Sequence, residues 1–166
     1  MKPSLKYAYA ITAAAAVIHL AWKFTLMPDL MAVHFGSSGV PDGYSSRGTF
    51  FAIAFGMIAL NVGAFGIGPW LVQRKRVRRL RIPNSGHWLS PENIDGFYAY
   101  FRSKMAWFGI GNLLFGSFVC QLVFVANSSA GAGLDSTAFS LALTAYFLFV
   151  IIWLFTFFRK LSRDKS

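Results

Sequence analysis

The sequence predicts an all-α integral membrane protein, a four-transmembrane-helix bundle that forms a single membrane domain over residues 1–166. Its 166 residues are 55% hydrophobic and 17% aromatic, only 13% are charged, and the mean hydropathy is +0.50. Soluble domains carry about 25% charged residues, so this chain lacks the charge that wets a globular surface. Four apolar stretches are also long enough to cross a bilayer, which takes roughly 20 residues of helix.

Each apolar stretch is typical of one membrane-spanning helix. At about 1.5 Å rise per residue, about 20 residues cover the roughly 30 Å of hydrocarbon. No stretch alternates with period two, which disfavours a transmembrane β-barrel. The first stretch follows Lys2 and Lys6 as a signal peptide would, but its length and the lack of a small-residue cleavage site indicate that it is retained. The predicted spans are residues 7–27, 49–73, 105–126 and 138–158.

The basic residues predict the orientation, because Lys and Arg concentrate in cytoplasmic loops. Of the 16 Lys and Arg residues, only Lys23 and Arg47 lie outside the two termini and the segment between the second and third spans. We therefore expect both termini and that segment to be cytoplasmic. The segments 28–48 and 127–137 then face outward.

Small residues predict where the helices approach one another. Lipid gives helices no hydrophobic reason to associate, so close contact favours small side chains. In the second span such residues recur at a 4-3-4 spacing, which places them on one stripe, and the third span has a matching stripe. The predicted packing residues are Ala52, Gly56, Ala59, Gly63, Gly109 and Gly116.

Three polar residues inside the spans are candidate functional groups: His19, Asn61 and Asn112. An ionisable residue within a membrane is a functional hypothesis by default. The alternative for His19 is a neutral imidazole that hydrogen-bonds to Asn61, Asn112 or a backbone carbonyl. We favour this alternative, because the predicted spans contain no carboxylate to complete a proton relay.

The outward segment 28–48 carries the candidate binding residues. Its glycines and the Val-Pro-Asp-Gly sequence at 40–43 predict a compact, structured loop. This turn explains Asp42 but gives His34 no local role, so that imidazole either packs on the helix ends or meets something outside. His34, Asp29 and Asp42 are metal-ligand types, but their spacing matches no metal motif, and we predict no metal site. The candidate ligand- or partner-binding residues are His34, Phe35, Asp42 and Tyr44.

The cytoplasmic segment begins with a basic cluster, Arg74–Arg81. At a helix end, such a cluster favours anionic lipid headgroups in the bilayer. Nucleic acid is the rival partner for a basic run, and we do not expect it in a membrane protein.

The second half of this segment predicts an interfacial amphipathic helix at about 91–104, before the third span. Ser90 suits an N-cap, Pro91 the first helical position and Glu92 the positive end of the helix dipole. Apolar residues then recur at i, i+3, i+4 and i+7, with Trp88 as an anchor in the interface. A catalytic role for His87 with Glu92 is disfavoured, because no nucleophile or second carboxylate accompanies them. The predicted interfacial motif is Trp88, Pro91 and Glu92.

Two stretches, one on each side of the second span, carry recognisable motifs. The outer stretch has Pro28, then His34-Phe35, then Gly-Val-Pro-Asp-Gly-Tyr at 39–44. The cytoplasmic stretch has Ile-Pro-Asn at 82–84 and Trp-Leu-Ser-Pro-Glu at 88–92. Both resemble the motifs of a small bacterial membrane domain of unknown function found in SdpI-type toxin-immunity proteins, with Ser90 where that family commonly has Ala. The resemblance covers about residues 1–126 and implies residence in the bacterial cytoplasmic (inner) membrane.

Together these observations lead us to expect a non-enzymatic, multi-pass protein that resembles SdpI-type immunity proteins. Such a protein protects against, or senses, a membrane-acting agent such as a peptide toxin, and needs no cofactor. The alternative is an accessory or assembly subunit of a larger membrane complex. A small transporter is less favoured, because the predicted spans contain no acidic residue and no pair of broken helices.

Overall fold

The computed structural model describes residues 3–72, 82–128 and 133–163. Within these ranges, four helical stretches are long and apolar enough to cross a membrane, so the prediction of a mostly helical, multi-pass membrane protein is confirmed. The basic cluster Arg74–Arg81 lies outside the described residues. The elements are α1 (Pro3–Phe24), β1 (Leu30–Phe35), β2 (Pro41–Ser46), α2 (Arg47–Asn61), α3 (Gly68–Leu71), α4 (Ser85–Trp88), α5 (Ile94–Ser128) and α6 (Ser136–Arg163).

The segment between the first two spans folds as an antiparallel β-hairpin, consisting of β1, β2 and their turn. Leu30 lies opposite Ser46 at its base and Phe35 lies opposite Pro41 near its turn, with irregular register around His34. The helix α2 begins directly after β2, and the Ser46 hydroxyl caps it by accepting a hydrogen bond from the Thr49 N–H at 3.0 Å. The hairpin is the form that the predicted compact loop takes.

The second span, Arg47–Leu71, contains a π-helical segment, Val62–Ile67, between α2 and α3. Pro69 explains it, because proline has no N–H for the Phe65 carbonyl and its ring crowds that oxygen. The Gly68 N–H instead reaches back five residues to the Gly63 carbonyl, which is the π-helical pattern. The span is therefore wider near its end than in α2.

The third span belongs to one unbroken helix, α5, which has 35 residues. At about 1.5 Å per residue it is about 52 Å long, well beyond the hydrocarbon core. The segment predicted as an interfacial helix forms the first part of α5 rather than a separate element. The helix begins at Ile94 rather than at Pro91, after a turn in which the Ser90 carbonyl accepts from the N–H groups of Asn93 (3.2 Å) and Ile94 (3.0 Å).

Buried side chains in the described part of the chain form three clusters that follow one another along α5. The first packs the start of α5 on the end of α6 and includes Phe97 and Leu161. The second joins α1 to α5 around Tyr9 and Ile110. The third joins α1, α2, α5 and the hairpin and includes Met31, Phe51 and Phe124. The hairpin is thus part of the folded core.

Candidate functional site

Arg47 fastens the base of the hairpin to the end of α1. Its guanidinium donates to the carbonyls of Phe24 (3.2 Å) and Met27 (2.9 Å) and pairs with the Asp29 carboxylate at 2.7 Å. Carbonyls at a helix C-terminus have no partner within the helix, so Arg47 satisfies them while it closes the hairpin. No local sequence pattern predicts this role of Arg47.

Asn127, near the end of α5, fastens the first strand. Its Oδ1 accepts the Ala32 N–H at 2.8 Å, and its Nδ2 donates to the Ala32 carbonyl at 2.9 Å. The side-chain amide thereby pairs with the backbone as a neighbouring strand would. Ala32 is 5% exposed, so these bonds satisfy backbone groups that water does not reach.

The turn of the hairpin is held by the segment that precedes α6. The Leu134 N–H donates to the Gly39 carbonyl at 2.9 Å. Gly39 has φ +80°, and a Cβ there would lie 2.2 Å from the Leu134 carbonyl oxygen, so only glycine fits. At Gly43 a Cβ would lie 2.8 Å from the His34 Cβ. These two glycines explain why the turn sequence needs a glycine on each side of Val-Pro-Asp.

The side chains of the hairpin differ sharply in exposure. Met31 and Ala32 are 0% and 5% exposed and lie in the core. The side chains of His34 and Asp42 are 75% and 51% exposed, and Tyr44 is 61% exposed. Three of the four predicted binding residues are therefore open to solvent, and these three side chains are here called the open face.

Phe35, the fourth predicted binding residue, lies elsewhere. It is partly buried and packs against the cluster that contains Met31, Phe51 and Phe124. This ring anchors the hairpin, because burying an aromatic side chain is favourable wherever apolar neighbours are available, and its share in a binding surface stays a prediction.

His34 and Asp42 form a hydrogen-bonded pair across the two strands. The His34 Nδ1–H donates to a carboxylate oxygen of Asp42. With Nδ1 engaged, the other ring nitrogen, Nε2, is left to face solvent as an acceptor or, when protonated, as a donor. Among the described residues, no hydroxyl or thiol hydrogen-bonds to this imidazole, and no three His, Cys, Asp or Glu side chains converge as metal ligands would. Nε2 is thus the ring nitrogen of this pair that solvent can reach.

The polar residues inside the spans bind one another across helix contacts. His19 on α1 hydrogen-bonds to Gln121 on α5 at 3.0 Å, a partner different from those expected. Asn112 on α5 accepts the Tyr146 hydroxyl of α6 at 2.5 Å. Both pairs join neighbouring helices, as interhelical polar contacts do in membranes.

Asn61 joins three helices at once. Its Oδ1 accepts the Tyr9 hydroxyl of α1 at 2.7 Å, and its Nδ2 donates to the Gly109 carbonyl of α5 at 3.2 Å. Asn61 is 9% exposed. These bonds satisfy its side-chain amide, for which lipid tails offer no hydrogen-bond partner. Tyr9 was not predicted as a partner of Asn61, because the partner of a polar residue is set by long-range packing.

The small-residue stripe of the second span does not pack inside the bundle, and that prediction is corrected. A Cβ at Gly56 or Gly63 would meet nothing within 4 Å, and the same holds for Gly116 of the third span. All four stripe residues of the second span, Ala52, Gly56, Ala59 and Gly63, are exposed. The helix α2 turns another face inward, with Phe51, Ala54 and Asn61 buried.

Gly109 is the exception among the predicted packing glycines. A Cβ there would lie 2.5 Å from the Tyr9 ring and 2.8 Å from the Phe65 Cβ. The absence of a side chain lets α1 and the π-helical segment approach α5 closely, as small residues do between membrane helices. Small residues are thus necessary at this contact, whereas on α2 they cover a free surface.

Trp88 and Asn84 form a clasp on the end of α6, here called the C-terminal clasp. The Trp88 Nε1–H donates to the Leu161 carbonyl at 3.1 Å, and the Asn84 Nδ2 donates to the Ser162 carbonyl at 3.0 Å. Trp88 is 6% exposed, so the prediction that it anchors in the membrane interface is corrected. The apolar face at Ile94 and Phe97 likewise packs within the protein, against Trp88.

Pro91 and Glu92 lie in the exposed turn that leads from the clasp into α5. Hydrogen bonding by the backbone N–H of Glu92 itself lowers the pKa of this carboxyl below its usual value. Stability that comes from this carboxylate is present above the usual glutamate pKa and is lost as the pH falls through the lowered value. Glu92 therefore acts as a turn and helix-start residue.

Comparison with known proteins adds one finding. Residues 11–58, which hold most of α1, the whole hairpin and most of α2, match the model of a family described as a domain of unknown function, DUF1648. No curated protein and no solved structure matches the chain. The part of the chain that contains the candidate surface is thus the part that is similar to DUF1648.

Proposed function

We propose that this protein is a non-enzymatic membrane protein that protects against, or senses, a membrane-acting agent such as a peptide toxin. The exposed face of the hairpin, with His34, Asp42 and Tyr44, is its binding surface. The observation that carries the proposal is that other residues hold the hairpin in place: Arg47 at its base, Asn127 on its first strand and Leu134 at its turn. The open face is thus left for a partner.

The proposal includes an orientation and a membrane. Both termini and the segment 82–104 face the cytoplasm, and the hairpin faces outward from the bacterial cytoplasmic membrane. Supporting this orientation, Lys and Arg are concentrated in the termini and in the segment between the second and third spans. The outer side is where a secreted agent first meets the protein.

The chemistry of the face suits a peptide ligand. It offers an imidazole, a carboxylate and a phenol within one hairpin, and Leu30 and Val40 beside them are 65% and 61% exposed. Aromatic and mixed polar groups on a rigid support are typical of recognition surfaces. The resemblance to SdpI-type immunity proteins supports the same class of partner.

The test separates binding from folding. His34→Gln keeps a polar side chain of similar size, and because the imidazole is mostly exposed we expect unchanged membrane level and melting temperature. Protection of expressing cells against a panel of membrane-permeabilising peptides is expected to fall at least tenfold. The matched control is Ser38→Ala in the exposed turn, for which protection is retained. If protection in His34→Gln falls only in step with melting temperature, the hairpin is a structural element and the proposal fails.

A second candidate function is favoured by the exposed stripe on α2. An accessory subunit docks onto a larger membrane complex, and small residues that meet nothing within the described part of the chain suit such docking. In that case a bulky residue at Gly56 abolishes co-purification of the complex while the isolated chain stays folded. A small transporter is less favoured, since the polar residues of the spans bind one another.

A further inference from the structure

A cavity opens at the end of the bundle where α1 begins and the second span ends. Its volume is about 240 Å³, and it is lined by Lys6, Tyr9, Phe65, Gly66, Trp70, Arg102 and Ala106. Pockets for drug-sized ligands run from about 300 to 1,000 Å³, so this one suits a single headgroup. The π-helical segment supplies Phe65 and Gly66, and π-helical turns are frequent at functional sites.

Two cations converge on one aromatic ring in this cavity. The Lys6 Nζ lies 4.3 Å and the Arg102 Cζ lies 4.0 Å from the centre of a Trp70 ring. Both distances are within the range of cation–π attraction. The ring therefore fixes an ammonium and a guanidinium at the same site, one from α1 and one from α5.

Neither cation is paired with a carboxylate of the described residues, between which the ion pairs are Asp29 with Arg47 and Asp42 with His34. Arg102 donates its Nε–H to the Pro69 carbonyl at 3.3 Å, and its two terminal amino groups have no hydrogen-bond partner in the described part of the chain. Two like charges beside one ring repel each other, and an anion between them would remove that repulsion.

We propose that this cavity binds a negatively charged phosphate group, with Arg102 and Lys6 as its ligands. A guanidinium matches phosphate oxygens in a two-point geometry, and an ammonium adds a point charge. Phe65 and Ala106 give the cavity an apolar wall, which suits the glycerol and upper acyl portion of an anionic phospholipid. Phosphate is the shared chemistry, and a lipid headgroup and a soluble phosphate are its two sources.

The experiment measures binding to the purified full chain in neutral detergent by native mass spectrometry and by thermal unfolding. The probes are phosphatidylglycerol, zwitterionic phosphatidylcholine and inorganic phosphate. We expect phosphatidylglycerol to bind about tenfold more tightly than phosphatidylcholine, because both lipids carry a phosphate but phosphatidylcholine also carries a trimethylammonium group that Lys6 and Arg102 repel. In Arg102→Gln and in Lys6→Gln this preference disappears.

The matched control is Arg159→Gln. Arg159 is an exposed cation beside an aromatic ring, with its Cζ 5.5 Å from the centre of the Phe155 ring, and it lies outside the cavity. Arg159→Gln is expected to keep the preference for phosphatidylglycerol over phosphatidylcholine. Lys6 is an exposed side chain, so Lys6→Gln is expected to fold normally. Displacement of phosphatidylglycerol by inorganic phosphate identifies a soluble phosphate as the source, and no displacement identifies the lipid. Equal affinity for the two lipids, or an equal loss in Arg159→Gln, overturns the proposal.

Discussion

Single polar side chains fix the contacts between segments that are far apart in sequence. Asn127 binds the Ala32 backbone, Trp88 binds the Leu161 carbonyl, and Asn61 accepts the Tyr9 hydroxyl. Between membrane helices, a hydrogen bond of this kind contributes about 0.6 kcal/mol on average and up to about 1–2 kcal/mol. Asn127 contributes more to stability, because it satisfies two buried backbone groups at once.

Asn127→Ala is expected to destabilise the protein by about 1–3 kcal/mol, since it leaves the N–H and carbonyl of Ala32 without this partner. For a chain of this size, that corresponds to a melting temperature in detergent lower by about 2–4 °C per kcal/mol. Hydrogen exchange at the Ala32 amide is expected to accelerate. The control is Ser128→Ala, whose hydroxyl bonds only within its own helix, to the Phe124 carbonyl. Equal effects of the two variants would contradict a special role for Asn127.

At the scale of elements, glycine has different surroundings on α5 and on α2. Gly109 of α5 lies against Tyr9 and Phe65, whereas Gly56 of α2 faces open space. The same residue type therefore marks a close helix contact in one element and a free surface in the other. Which of the two applies depends on the neighbour rather than on the spacing.

Gly109→Ala is expected to lower the melting temperature, because the new methyl group would lie within 2.8 Å of side-chain atoms and the helices must move apart. Gly56→Ala is the matched control and is expected to leave the melting temperature unchanged or slightly raised, since alanine favours helix over glycine. Thermal unfolding of both variants in the same detergent is the measurement. A larger loss in Gly56→Ala would show that the exposed stripe lies in a contact of the native assembly.

At the scale of the whole molecule, the proposed orientation places the hairpin and the C-terminal clasp on opposite sides of the membrane. They lie near opposite ends of α5, which carries Ile94 at one end and Asn127 near the other. Because that helix is longer than the bilayer is thick, the clasp extends beyond the hydrocarbon on the side of the termini.

Cysteine labelling tests this orientation. Cys120 is the single cysteine, so a Cys120→Ala background allows unique labels. Ser38→Cys is expected to react with an impermeant reagent in intact cells, whereas Ser85→Cys and Ser162→Cys react only after permeabilisation. All three positions are exposed, so access to the reagent decides the outcome. The reverse pattern would reject the orientation.

The membrane spans were predictable from the sequence, whereas the contacts that each span makes with the rest of the chain were not. A long apolar run must be a helix in lipid, because every backbone group must be satisfied internally. The strand β2 was not predicted, because Pro-Asp-Gly-Tyr-Ser-Ser at 41–46 has little strand propensity. It forms a strand because β1 pairs with it and the core holds β1.

The candidate site was also predictable only in part, because local patterns mark single residues but not their distant neighbours. Turn chemistry drew attention to Asp42 and, by contrast, to His34, and both lie on the open face. Trp88 was misassigned, because aromatic side chains suit lipid, interface and core alike, and only the packed fold decides among them. Lys6, Trp70 and Arg102 come from three distant segments, so no local pattern could bring them together.

The continuity of α5 has a mechanical consequence. A continuous helix of about 52 Å moves largely as one rod, so tilting it by about 5° moves one end relative to the other by about 4–5 Å. Asn127 ties the hairpin to one end of this rod, and Phe97 ties the end of α6 to the other. A partner that shifts the hairpin therefore displaces the opposite end of the protein by roughly the diameter of an atom or more, without any rearrangement inside the helix.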